Sequence, residues 1–189
     1  GWGYDSLSFN ARYIRNLGDK PVLNMTGRFH ESWGDFGGLR TEPSLEYDCI
    51  YGVANAMRTT IGDHFHPRGD INEPMFDLIK GIYGRLRKLD PWIEGAKAVA
   101  DIAVLIPEDT FNYYDEASAV KIHAGYGISR MLCELKQQFD VLPPDKDFSK
   151  YKVLVLPDRV TLTKELAKRI QATIGRTRTR TRRRVFSRA

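Results

Sequence analysis

Near the start of the chain Leu7, Phe9, Tyr13, Ile14 and Leu17 form a helical stripe over residues 4–17, which stops at Gly18 with Pro21 beyond it. The period then changes. Pro21-Val22-Leu23-Asn24-Met25 is a short apolar run opened by proline, as expected of a buried parallel strand. Residues 26–39 mix glycine, aromatic and charged side chains without periodicity, and a loop of that length is more often functional than idle. Thr41 is placed to cap a helix with Glu42 and Pro43 in its first turn and Leu45, Cys49, Val53, Ala56 and Met57 as its buried stripe. Residues 59–64 read as a second strand and 65–72 as a second polar loop. A third helix follows over 73–89, with Phe76, Ile79, Ile82, Tyr83 and Leu86 on one face. Such alternation implies a parallel sheet with crossover helices. Two strands with three helices do not bury both faces of a sheet, so this half reads as incomplete by itself.

Asp90-Pro91 opens a connector to Ala100, the best candidate for a domain boundary. Beyond it the pattern predicts a strand over 101–107, an acidic and aromatic loop over 108–115 and a long helix over 116–139. A short strand at Val141, a Pro143-Pro144 turn, an apolar strand over 152–156 and a helix capped by Thr163 and running to Ile174 complete the series. This order opens a doubly wound sheet. The expected organisation is 1–95, 96–175 and a basic tail, 176–189.

Charge changes the picture only at that tail. Of the net +5, seven charges are arginines within 176–189, so the other 175 residues carry a net −2. The alternating Arg-Thr run has no apolar stripe and is expected to be disordered. It also lacks the reading element of a nucleic-acid arm, and no nucleic-acid partner is expected. No run of eighteen apolar residues is present, so no membrane span is expected. The first residues have neither the basic start nor the apolar run of a signal peptide, which says little for a fragment; a cytoplasmic setting is favoured and a secreted parent stays open. Cys49 and Cys133 each fall in a helical pattern among apolar neighbours, where a lone cysteine behaves as a small hydrophobe, and they indicate no disulfide framework.

The run Thr26-Gly27-Arg28-Phe29-His30-Glu31-Ser32-Trp33-Gly34-Asp35-Phe36-Gly37, within residues 21–107, resembles the closing strands of the (β/α)8 barrels of glycosyl hydrolases related to trimeric β-galactosidases and α-L-fucosidases. Asp101-Ile102-Ala103-Val104-Leu105, Gly125-Tyr126-Gly127-Ile128 and the stretch from Tyr151 to Pro157-Asp158 are similar to the start of their trimerisation domain, which is flavodoxin-like and related to class I glutamine amidotransferases. The resemblance implies an α/β fold: the partial end of a (β/α)8 barrel, then a partial flavodoxin-like doubly wound domain. It also implies a carbohydrate substrate and a homo-oligomer, trimeric in the parent family. In that family a Gly-Gly strand usually follows the last helix, and here the arginine tail stands in its place.

Loops after the strands of a parallel barrel form its active-site face. The two loops together offer Glu31 and Asp63 as catalytic carboxylates, and Arg28, His30, Trp33, Asp35, His64, His66 and Arg68 as substrate contacts. Trp33 suits the apolar face of a pyranose, whereas the plainer reading has Trp33 and Phe36 packing the loop down. The resemblance puts the β-galactosidase nucleophile directly after the first strand, where this chain has Thr26, so no nucleophile is assigned. Asp63-His64-Phe65-His66 would place two imidazoles on one strand face, but no third ligand has a telling spacing, and neither metal nor cofactor is expected. Gly125-Tyr126-Gly127 and Cys133 lie in a helical pattern, which argues against a phosphate loop and an amidotransferase elbow. The expected function is therefore that of a glycoside hydrolase fragment, inactive alone and of galactoside or fucoside type. A non-catalytic oligomerisation module is the alternative.

Overall fold

The computed structural model describes residues 4–31, 33–35, 37–107, 116–158, 160–177 and 185–186. The expected loop 108–115 lies outside these residues, as does Phe36 with its packing role. The protein is α/β, with two small parallel sheets. Its residues divide into two compact units, one of 1–11 and 18–98, the other of 12–17 and 99–189.

The first unit contains most of α1 (Tyr4–Ile14), β1 (Val22–Gly27), α2 (Glu42–Ala54), β2 (Met57–Gly62), α3 (Glu73–Leu86) and the short α4 (Asp90–Ile93). β1 and β2 are parallel neighbours, paired from Val22↔Met57 to Gly27↔Gly62. Alternation along β1 is inverted relative to hydrophobicity: Asn24 and Thr26 are buried, while Leu23 and Met25 are more than half exposed. The inversion follows from α2, which offers polar partners. Asn24 Nδ2 donates to the Asp48 carbonyl at 2.8 Å and Thr26 Oγ1 to Asp48 Oδ2 at 2.9 Å. Gly52 permits this approach, because a Cβ there would lie 2.5 Å from Asn24 Nδ2. Behind the sheet Leu45, Cys49, Val53, Met75, Ile82 and Leu86 form the core, with Ile61 packed against them.

Two boundaries differ from the sequence reading in ways that bear on function. β1 continues through Thr26 to Gly27, so Thr26 belongs to the strand and Arg28 is the first residue after it. β2 starts at Met57 and ends at Gly62, so Asp63 and His64 follow the strand instead of forming it. The shift originates at Ala56, whose φ of 65° ends α2 early in a conformation usually left to glycine or asparagine. Thr41 sits at the N-cap of α2, but its hydroxyl makes no capping bond. The third helix stops at Leu86, short of the expected Leu89.

In the second unit β3 (Ile102–Leu105), α5 (Glu116–Glu134), β4 (Phe139–Leu142), β5 (Val153–Val155), α6 (Lys164–Thr177) and β6 (Val185–Phe186) build a sheet of order β4-β3-β5-β6, parallel throughout. Ala103, Leu105, Leu142, Phe148, Tyr151, Leu154, Leu166 and Ile170 make its core. Thr163 Oγ1 accepts from the Leu166 N–H at 3.1 Å, the expected cap of α6. Phe139, read from sequence as the end of the long helix, is the fully buried first residue of β4. The helix stops at Glu134, where Lys136 at φ 56° gives no glycine signal in the sequence. Of the tail, α6 extends to Thr177 and Val185-Phe186 forms a strand beside β5, while 178–184 and 187–189 lie outside the described residues.

Candidate functional site

Gly27 and Gly62 are register partners at the C-terminal ends of the two parallel strands, and each is followed by one candidate loop. The absence of side chains there has a use. A Cβ at Gly62 would meet the Trp33 ring at 2.3 Å, and one at Gly27 would meet Phe29 at 2.9 Å, so both rings lie on a floor of bare backbone. Phe29, Trp33 and His64 form one aromatic cluster, with ring centroids 4.9 Å apart for Phe29 and Trp33, 4.4 Å for Phe29 and His64 and 5.7 Å for Trp33 and His64. Trp33 remains 49% exposed, so one side of the cluster is open to a ligand.

Beneath the loops lie two ion pairs. Arg28, 4% exposed, donates from Nε to Asp63 Oδ1 at 2.5 Å and from Nη1 to the Gly38 carbonyl at 3.1 Å. Asp63 Oδ1 also accepts the His64 N–H at 2.7 Å. Arg40 donates from Nη1 to Asp48 Oδ2 at 2.7 Å and to Thr26 Oγ1 at 2.8 Å, and from Nη2 to the Ser44 carbonyl at 2.8 Å. Thr26, at the place where the resemblance expected a nucleophile, is thus a buried strand residue engaged with its neighbours.

The other predicted residues fall into two depressions. His30, Glu31 and Asp35 line one of about 700 Å³ with Gly34, Gly38 and Leu39. Arg28, His64, His66 and Arg68 line a second of about 590 Å³, together with Phe65, Asp70 and Asn72. Asp35 holds its own turn, accepting the Gly38 N–H at 2.7 Å. In the second loop Gly69 takes φ 87°, which closes a turn in which Asp70 pairs with Arg68 at 3.1 Å and places Oδ1 3.4 Å from His66 Nδ1. The strand argument for two imidazoles on one face fails, since both histidines lie beyond β2. His64 joins the aromatic cluster and His66 lies beside Asp70. Among the described residues no group of three or more His, Cys, Asp or Glu is placed to hold a metal ion. Glu31 lines the first of these depressions, and Asp63 lines neither.

Phe29, Arg40 and Asp48 escaped the sequence reading. An aromatic residue in a glycine-rich loop was a usable signal for Phe29, whereas nothing local marks Arg40 or Asp48 as partners. Cys49 lies behind the site in the core, and burial, reinforced by the Asp48 charge, pushes its thiol up to about 12. It is a packing residue of the core.

No family model and no curated protein matches the chain. Solved structures do. α-L-Fucosidase isoenzyme 2 from Paenibacillus thiaminolyticus aligns with 93% of this chain at 33% identity and a TM-score of 0.79. The chain resembles these glycoside hydrolases. A GH42 β-galactosidase from G. stearothermophilus shares the fold over 91% of the chain (TM-score 0.73, 14% identity), and a β-galactosidase from Bacillus circulans sp. alkalophilus does so over 92% (0.73, 15%). The chain spans only 26% of the fucosidase and 28% and 29% of the two β-galactosidases.

Proposed function

We propose that the chain is part of a glycoside hydrolase acting on galactoside- or fucoside-type carbohydrates, and that it is inactive alone. The observation that carries this reading is the pair of loops leaving adjacent parallel strands at the same end, with a half-exposed tryptophan on the Gly27/Gly62 floor between them. In (β/α)8 barrels the chemistry sits at that end of the strands. The open β1–β2 face, with Leu23 and Met25 exposed, is what the closing strands of such a barrel would present to its interior. The sequence likeness to the fucosidase supports the substrate class. The second unit, with its four parallel strands, is read as the start of a flavodoxin-like domain that assembles homo-oligomers, trimers in the parent family.

In this reading His30, Trp33, Asp35, His64, His66 and Arg68 contact the sugar, and Glu31 and Asp63 are the candidate carboxylates. Cleavage needs an acid on the leaving oxygen and a second carboxylate across the ring, both rigidly held, and a misplacement of about 1 Å costs on the order of a hundredfold in rate. Two strands do not supply that rigidity. Chromogenic aryl galactosides and fucosides should therefore show no turnover with this chain. Turnover that disappears in a Glu31→Gln/Asp63→Asn double variant would show a complete site and overturn the reading of inactivity. Titration with L-fucose and D-galactose, followed by tryptophan emission, tests the carbohydrate assignment itself. Absence of any response to either sugar would remove it.

A further inference from the structure

We infer that Arg28 is a positioning residue: it ties the two loops together and so sets the Phe29–Trp33–His64 cluster on its glycine floor. The inference rests on the carbohydrate reading for its purpose but not for its geometry. Sequence reading makes Arg28 a substrate contact, as an arginine at the mouth of a strand would suggest. Its burial and its partners assign it another task. One guanidinium nitrogen holds Asp63 at the start of the second loop, and another holds the Gly38 carbonyl near the end of the first, ten residues along the chain. The Arg28 backbone closes the same joint, its N–H donating to the Gly62 carbonyl at 3.1 Å and its carbonyl accepting the Arg40 N–H at 2.8 Å.

The link to the aromatic cluster runs by two routes. Asp63, held by Arg28, accepts the N–H of His64, whose ring lies 4.4 Å from that of Phe29. The Arg28 guanidinium itself lies 4.8 Å from the centre of the Phe29 ring, and Phe29 packs on Trp33. The rigid planar fork holds Nε and Nη1 donors in fixed and different directions, whereas a lysine ammonium presents its three donors from a single point and matches both partners less well. Loss of the fork therefore releases the first loop from the second and lets Trp33 leave Gly62.

The test uses the full chain carrying Trp2→Phe and Trp92→Phe, which leaves Trp33 as the sole indole among the three tryptophans. Three quantities are measured: Trp33 emission with acrylamide quenching, affinity for L-fucose and D-galactose, and urea unfolding. Arg28→Gln should shift Trp33 emission to the red, increase its quenching and weaken sugar binding about tenfold or more. Asp63→Asn should do the same, and the double variant should be no worse than either single one, because the pair acts as a unit. Arg28→Lys should fall between wild type and Arg28→Gln. A lower urea midpoint with Trp33 emission and sugar affinity unchanged would make Arg28 merely structural and overturn the inference. Should Arg28→Gln not fold, unchanged Trp33 emission in both Arg28→Lys and Asp63→Asn would overturn it equally. If the wild-type chain binds neither sugar, the carbohydrate assignment fails, while Trp33 emission still decides the positioning role.

Discussion

Arginine–aspartate pairs are buried in both units, and two of them, Arg28–Asp63 in the first and Arg15–Asp140 in the second, are built for different ends. Arg28–Asp63 lies just past the C-terminal ends of β1 and β2, where its partners are loop backbone at Gly38 and His64. Arg15–Asp140 lies at the start of β4, inside the second unit. There Arg15 Nη2 donates to Asp140 Oδ1 at 2.6 Å and to the Phe139 carbonyl at 3.0 Å, and the Tyr151 hydroxyl donates to Oδ2 at 2.7 Å. Ligands of α/β folds gather at the carboxyl ends of strands, so position along the strand separates a pair that shapes a site from one that secures a core. The chemistry of the two pairs is the same.

The sharpest way to break this contrast is to remove each carboxylate. Asp140→Ala leaves Arg15 buried without its partner and should cost about 3–5 kcal/mol in urea unfolding of the second unit. Asp63→Asn should cost less, about 1–3 kcal/mol, and express itself mainly in Trp33. A larger stability loss at Asp63 would reverse the assignment of roles.

Acid titration sharpens the same comparison. Burial alone would raise the Asp140 carboxyl, but hydrogen bonds from Tyr151, Arg15 and Asn16 and the Arg15 charge outweigh it and hold the group below the usual carboxylate range. The unfolded chain therefore takes up this proton first as pH falls, at roughly pH 4. The stabilisation is complete at neutral pH and is lost as pH drops through the lower folded value. Asp140→Asn should flatten the acid limb of stability against pH, and an acid limb as steep as that of wild type would show that the network does not hold the charge.

The two faces of the β1–β2 sheet offer a smaller test. Ile82→Ala, in the helix-covered core, should cost about 2–5 kcal/mol, whereas Leu23→Ser on the open face should change stability by about 0.5 kcal/mol or less. A large loss at Leu23 would mean that the open face is covered in solution. Smallest of all is the thiol contrast: a disulfide reagent at pH 8 should label half-buried Cys133 before Cys49, whose thiol burial pushes up to about 12. Equal labelling in the folded chain would contradict that burial.

Much of the architecture was legible, because burial imposes a period on apolar residues. The strands at Val22, Ile61, Val104 and Leu154 are present near the apolar runs that suggest them, the first two in one parallel sheet and the last two in another. Boundaries were less legible where the chain turns through a left-handed residue that is not glycine. Ala56 and Lys136 carry no mark of it, and with them went the starts of β2 and β4. The two loops stand out by their composition, but their hydrogen-bond partners do not. Arg28 reads from the sequence as a sugar contact, whereas its burial and its bonds to Asp63 and Gly38 carry the positioning role proposed for it, and Thr26, read as a loop residue, is a buried strand partner of Asp48.

What the sequence determined by itself is the order of the longer helices and strands up to α6, without the short α4 and β6, the confinement of the excess positive charge to the last fourteen residues, and the two loops that carry the candidate chemistry. Tertiary structure alone decided which charges are paired. Arg28 and Asp63 are 35 positions apart and Arg15 and Asp140 are 125 apart. Apolar burial repeats with the local period of a helix or strand and so leaves a pattern in the chain. An ion pair depends on where two distant segments come to rest, and a lone arginine in a sequence carries no record of its partner.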